Sequence, residues 1–294
     1  MAKQHVSNSQ VSIYSQCPHR WNLEYIQKIG EYETNIYLIF GTSMHTVIQK
    51  YLLTLYNESV KNANEMDLDQ MLIDEMKSEF AKSLEKGDPN PCTKAEMIEF
   101  YYDGIKIFRY MVSHQKEFFP KRKHKLLGIE SNLDLPYGPV NFVGYLDVVI
   151  LNEKTQKIKI IDLKTSTNGW NKWQKMDKIK TNQLLFYKKF YGEKYNVKIN
   201  DIQIEYLILK RKLYENIDYP QKRIQRFVPA NGVPSVNKAM AELDALVTEG
   251  FTEDGEYNTD RKYQARSGKN NRNCTYCPFK DHPEYCEPKS RMKG

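Results

Sequence analysis

The 294 residues contain no run near the roughly 18 consecutive apolar residues needed to span a bilayer. The opening MAKQHVSNSQ has no apolar signal-peptide core. Both absences lead to the expectation of a soluble, intracellular chain with no membrane partner, cytoplasmic or, for a viral gene, in the host cytoplasm. A Walker-type phosphate loop is missing as well: the one Gly-Lys pair, Gly268-Lys269, lacks the spacing and the following Ser or Thr, which speaks against an ATP-driven motor. There is no internal repeat and no low-complexity linker. Cysteine is scarce and odd in number at five, which argues against a disulfide framework. Apolar residues reach only 40% even with 21 tyrosines counted, against about 45–50% in typical globular domains, so the surface must be strongly polar.

The chain is nevertheless long enough to bury a real core. Lys and Arg exceed Asp and Glu by 44 to 37, and the resulting +7 suits a polyanionic partner without requiring one. Helical periodicity runs from Ser9 to about Ile29 and from Ile36 to Tyr56, with two further helical stretches at 67–86 and 93–119 closed by Pro120. The pattern then changes to Val, Ile, Leu and Phe-rich segments at 125–135, 141–151 and 157–165, separated by Pro136-Tyr137-Gly138-Pro139 and Asn152-Glu153-Lys154. Three strands, a helix at 176–191, strands at 202–212 and 222–228, and a helix at 234–248 follow in order. The expected fold is α/β, an αβββαβ core with a mixed central sheet, helical additions in front and a polar tail behind.

Within the third strand Ile158, Ile160, Asp162 and Lys164 share one face, because strand side chains alternate. Asp147 of the second strand sits in a stretch apolar on both faces, with Phe142 and Val148 assigned to one and Val143 and Val149 to the other. A carboxylate placed there is costly unless it is paired or holds a cation. Adjacent strands would bring Asp147 and Asp162 together, where a hard ion such as Mg²⁺ or Mn²⁺ offsets their repulsion. Lys164 would then serve an attacking water, the equipment of phosphodiester hydrolysis. For any single Asp-X-Lys, an exposed cross-strand pair is the commoner arrangement. Glu130 of the first strand is a third inward acid, and His45 beside its helix's apolar stripe offers an imidazole. Gln183 and Tyr187, four apart, share a helix face toward a substrate strand or the lysine.

The ordered set Gly41…His45, Glu130, Gly144-Tyr145-Leu146-Asp147, Asp162-Leu163-Lys164-Thr165 and Gln183…Tyr187 resembles the RecB-type nucleases of the PD-(D/E)XK superfamily over residues 9–286. The resemblance implies that His45, Asp147, Asp162 and the Leu163 carbonyl bind Mg²⁺ or Mn²⁺, that Lys164 serves the water, and that Gln183 and Tyr187 face substrate. Glu130 is carried over from its strand position alone. The Pro usual before the first Asp is replaced by Gly-X-X-Asp. A single nuclease domain over 1–294 follows, with helical additions at 1–120, a core at 121–250 and a tail at 251–294. The implied activity is that of a deoxyribonuclease, an exonuclease in DNA recombination, repair or processing, acting on single-stranded or duplex ends with a helicase or recombination partner. The contrasting reading is a non-catalytic nucleic-acid-binding protein on the same fold.

Cys274, Cys277 and Cys286 form C-x2-C-x8-C, and Cys17 stands far upstream. By spacing alone, structural zinc is at least as good a reading as a [4Fe-4S] cluster, with His19 or His282 as replacement ligands. The iron-sulfur members of the family, similar to the AddB nuclease domain and the CRISPR-adaptation nucleases, place one Cys before the core and three after it. The resemblance therefore implies Cys17, Cys274, Cys277 and Cys286 as cluster ligands, with Cys92 a plain thiol. Basic runs at Lys121-Arg122-Lys123, Lys210-Arg211-Lys212 and Arg261 to Arg272 are candidates for a DNA channel, with Lys210 and Arg211 as substrate contacts. Trp170 and Trp173 offer stacking surfaces. Each run is equally compatible with a solvated charged surface.

Overall fold

The computed structural model describes residues 4–30, 34–88 and 90–293. A short strand β1 (His5–Val6) leads into α1 (Asn8–Gln16), capped by the Ser7 hydroxyl. The expected single first helix breaks at Cys17, whose backbone is extended (φ −154°, ψ 100°). Pro18 is the cause, because its ring disfavours helical geometry in the preceding residue. The chain resumes as α2 (Pro18–Trp21) and a π-turn at Asn22–Ile26. Next come α3 (Ile36–Asn57), the short α4 (Val60–Asn64) and α5 (Leu68–Glu85). Then α6 (Lys94–Ser113) opens with a Thr93–Glu96 capping box, and His114 separates it from α7 (Gln115–Phe118).

The sheet begins with three antiparallel strands, β2 (His124–Tyr137), β3 (Val140–Asn152) and β4 (Lys157–Ser166). After α8 (Lys172–Met176) and α9 (Lys178–Tyr195), β5 (Ile202–Lys210) returns parallel to β4, and β6 (Ile224–Phe227) pairs antiparallel to β5. The order is β1-β3-β4-β5-β6 with β2 also paired to β3, a mixed six-stranded sheet. α10 (Val233–Gly250) follows, and the tail forms only short turns and bridges.

Two apolar layers cover the sheet. One gathers Val11 and Tyr14 of α1, Leu184, Phe186 and Phe190 of α9 and Leu243 of α10 over Phe142, Leu146, Val149 and Ile160. The other sets Phe40, Met44 and Val47 of α3, Leu72 of α5 and Phe108 of α6 against Val148, Ile150, Ile161 and Leu163. These layers correct the face assignment made for β3, since Phe142 and Val148 lie in different cores. The strand changes face at Asp147. Opposite it Glu130 has a left-handed backbone (φ 45°), and the β2/β3 pairing skips from Ile129–Val148 to Ser131–Leu146. No helix among the described residues is long and apolar enough to cross a membrane.

Candidate active site at a strand fork

Pairing between β3 and β4 ends at Val148–Ile161, so Asp147 and Asp162 are the first residues beyond the last registered pair. The two strands separate there, and the gap is spanned by the Leu163 N–H donating to Asp147 Oδ2 at 2.7 Å. His45 enters from α3 and places Nδ1 3.6 Å from the same oxygen. One ligand atom each from His45, Glu130 and Asp147 lies within 4.8 Å of the others, the only such group among the described residues. Glu130 is therefore a full member of the cluster, and its left-handed backbone is what turns it there. Its Oε1 accepts from Gln49 Nε2 at 2.5 Å. No sequence motif marks Gln49; the one signal for it is that it lies a turn after His45 and so on the same helix face.

Asp162 stands beside this group. It is 1% exposed, and neither carboxylate oxygen has a well-formed hydrogen bond. Only the Lys164 ammonium approaches, at 2.9 Å. Burial pushes the Asp162 carboxyl up to about 6, with Asp147 adding to the rise and Lys164 opposing it. Burial disfavours the charge on Lys164, yet Asp162 and Asp147 outweigh that cost and raise its pKa. His45 behaves similarly: burial lowers its affinity for a proton, but the Asp147 hydrogen bond and charge hold its pKa above the ordinary value. Lys164 Nζ also donates to Gln183 Oε1 at 2.9 Å, and Gln183 Nε2 donates to the Tyr187 hydroxyl at 2.9 Å. Tyr187 lies against Gly144, where an added Cβ would fall 2.6 Å from its ring. Gly144 thus admits the ring that ends the chain of donors.

An imidazole and two acids within 4.8 Å of one another, with a third, buried acid on the neighbouring strand, are a donor set for a hard divalent cation. A family model described as the PD-(D/E)XK nuclease superfamily matches residues 5–282. The chain belongs to that superfamily. PD-(D/E)XK proteins are in general nucleases, phosphodiester hydrolases that use divalent metals, and the six-stranded mixed sheet agrees with their fold. Comparison with curated protein sequences returned no match. In this PD-(D/E)XK chain Asp147 and Asp162 stand just beyond the last β3–β4 pair, with Lys164 ion-paired to Asp162.

The basic runs are placed differently from the expected channel. Arg211 is 5% exposed, its Nη1 bonded to Asp103 Oδ2 at 3.0 Å and its guanidinium 3.4 Å over the Phe100 ring. It is a buried ion pair, which corrects its assignment as a substrate contact. Lys212 pairs with Glu99 and Asp103, Arg261 with Glu249 and Arg272 with Asp177. Lys121 closes the end of α3 by donating to the carbonyls of Leu55 and Glu58. Lys210 is partly buried, and burial lowers its pKa.

Cys17, Cys274, Cys277 and Cys286 line one pocket together with Arg20, Arg266 and Arg291. The extended backbone before Pro18 puts Cys17 Sγ 3.3 Å from the Arg266 backbone nitrogen, whose N–H it accepts. Arg291 Nε donates to Cys286 Sγ at 3.3 Å, and Asn273 Nδ2 ties the tail to the Gln16 carbonyl at 2.7 Å. No three of these sulfurs lie within 4.8 Å of one another. His282 pairs with Glu284 outside the pocket, and His19 is bonded to the Tyr285 carbonyl. Cys92 is buried in the α3 core, away from the others, with its thiol pKa raised by burial.

Proposed function

We propose that the chain is a metal-dependent deoxyribonuclease working from DNA ends, in recombination, repair or processing. The observation that carries the reading is the gathering of His45, Glu130 and Asp147, with the buried Asp162 across the same strand fork and matched there by Lys164 alone at 2.9 Å. Three acids drawn together with one lysine repel one another at a cost that a further cation offsets. His45, Glu130, Asp147 and Asp162, with the Leu163 carbonyl, would hold Mg²⁺ or Mn²⁺. When bound, such an ion supplies Lewis-acid stabilisation of charge on the scissile phosphate.

The remaining steps belong to the chain itself. Lys164 keeps its proton beside Asp162 and Asp147, so its N–H groups orient the attacking water and face negative charge developing on the phosphate. Gln183 fixes the ammonium's direction, and Tyr187 fixes Gln183. Gln49 holds Glu130 and thereby sets the site's outer wall. In a Mn²⁺ assay, linear DNA should be degraded and covalently closed circular DNA spared. Equal cleavage of both would reject the end-dependent reading and leave an endonuclease.

We also propose a structural [4Fe-4S] cluster that joins the chain's beginning to its tail, because Cys17, Cys274, Cys277 and Cys286 line one pocket. Anaerobically purified protein should be brown with broad absorption at ~400 nm. Colourless protein with stoichiometric zinc decides for the structural zinc alternative.

A further inference from the structure

Between Lys164 and Gln183 the chain runs through α8, and that segment carries lysines outside any ion pair among the described residues and a strongly exposed aromatic ring. Trp21 and Trp170 are 0% and 7% exposed, whereas Trp173 is 74% exposed. Met176, three residues on, is 64% exposed. Positions three apart on a helix are neighbours, so the indole and thioether form one apolar face. An Asn171–Gln174 capping box fixes the turn that presents them. Lys172, Lys175, Lys178 and Lys180 belong to the same stretch, Lys175 and Lys180 lying over the rings of Phe227 and Trp170, and none is in an ion pair among the described residues. The one acid of the segment, Asp177, is already engaged: it caps α9 through the Ile179 N–H and pairs with Arg272 at 2.8 Å.

We propose that α8 is a docking platform for single-stranded nucleic acid, with a base stacked on Trp173 and phosphates drawn to the four lysines. The proposal rests on the nuclease reading and names the form in which substrate reaches that site. The indole is 74% exposed with Lys172 Nζ 6.0 Å over its ring, and bases offer their faces only when unstacked, so a single strand fits the platform and an intact duplex does not. The uncompensated lysines match the charge of such a strand. Asp177 begins α9, which also carries Gln183 and Tyr187, so a strand held on α8 is delivered next to the catalytic lysine.

The test is binding by the metal-free full-length chain. An unstructured single-stranded oligonucleotide should quench tryptophan fluorescence, because only Trp173 among the three tryptophans is accessible. Trp173→Phe should lose most of the quench and hold affinity within about threefold, and Trp173→Ala should weaken binding by roughly 5–100-fold. Lys172→Gln with Lys175→Gln should flatten the salt dependence by about 0.7 per lost phosphate contact. A blunt hairpin should produce little quench. Unchanged affinity in Trp173→Ala, or equal quenching by blunt duplex, overturns the platform. If that occurs while DNA is still cleaved, the nuclease reading stands; if binding behaves as described but no metal supports cleavage, the nuclease reading fails and the platform stands.

Discussion

The Leu163 main-chain N–H donates to Asp147 Oδ2 at 2.7 Å across the gap where β3 and β4 part. This bond ties Asp147 to the residue that directly follows Asp162, so it holds the two acids of the proposed site together. Asp147→Ala would orphan a buried N–H at a cost of about 1–3 kcal/mol. Asp147→Asn keeps an oxygen for that N–H and removes only the charge. We expect Asp147→Asn to melt within a few degrees of the parent and to lose cation binding by calorimetry, with cleavage falling at least ~10²-fold. An active Asp147→Asn protein would remove Asp147 from the site.

Cation binding should weaken as the pH falls. Burial holds the Asp162 carboxyl at about 6, and Asp147 keeps His45 above its ordinary value. Ligation requires deprotonated forms of both, so protons compete from a higher pH than they would at unperturbed acids. Affinity for Mn²⁺, followed across neutral and mildly acidic pH, should be full above these raised values and decline as the pH drops through about 6. A flat profile would contradict the placement of these groups around the ion.

Gly144 tests the donor chain. The added methyl of Gly144→Ala meets the Tyr187 ring at 2.6 Å, so the ring must shift and Gln183 loses its support. Misplacement of a positioning group on that scale can cost up to ~10²-fold in rate. Turnover should fall in Gly144→Ala while Mn²⁺ affinity stays near that of the parent. A parallel loss of both would mean that the methyl disturbs the cation site directly.

Asp103 and Arg211 should prove structural. Asp103→Ala leaves the buried guanidinium with only the more distant and more exposed Glu99, at 3.6 Å, and losing the partner of a buried pair costs up to about 3–5 kcal/mol. Chemical denaturation should show that loss. If Asp103→Ala is as stable as the parent, the buried pair contributes nothing and Arg211 is free for another task.

Most of the architecture is legible in the sequence because its signals are local. Proline and the Asn152-Glu153-Lys154 break bound the strands, and periodicity marks α3, α5, α6, α9 and α10 to within a few residues. The split at Cys17 is also written in Pro18, although helical spacing masks it. The site is legible where motif residues lie on regular elements, as with Asp162 and Lys164 on one strand face. Two things are hidden. The change of face at Asp147, opposite the left-handed Glu130, departs from the strict alternation that a sequence reading assumes. The role of Arg211 depends on Asp103, a partner 108 positions away. A run of cations carries no sign of whether its charges are already matched.

The most direct measurement is Mn²⁺-dependent hydrolysis of end-labelled linear DNA by the purified chain, run beside Asp162→Ala and Lys164→Ala with folding checked by circular dichroism. Cleavage by the parent that stops on chelation, and is abolished in both folded variants, is the predicted result. Undiminished cleavage in both variants, or none by the parent with any divalent ion, would contradict the account.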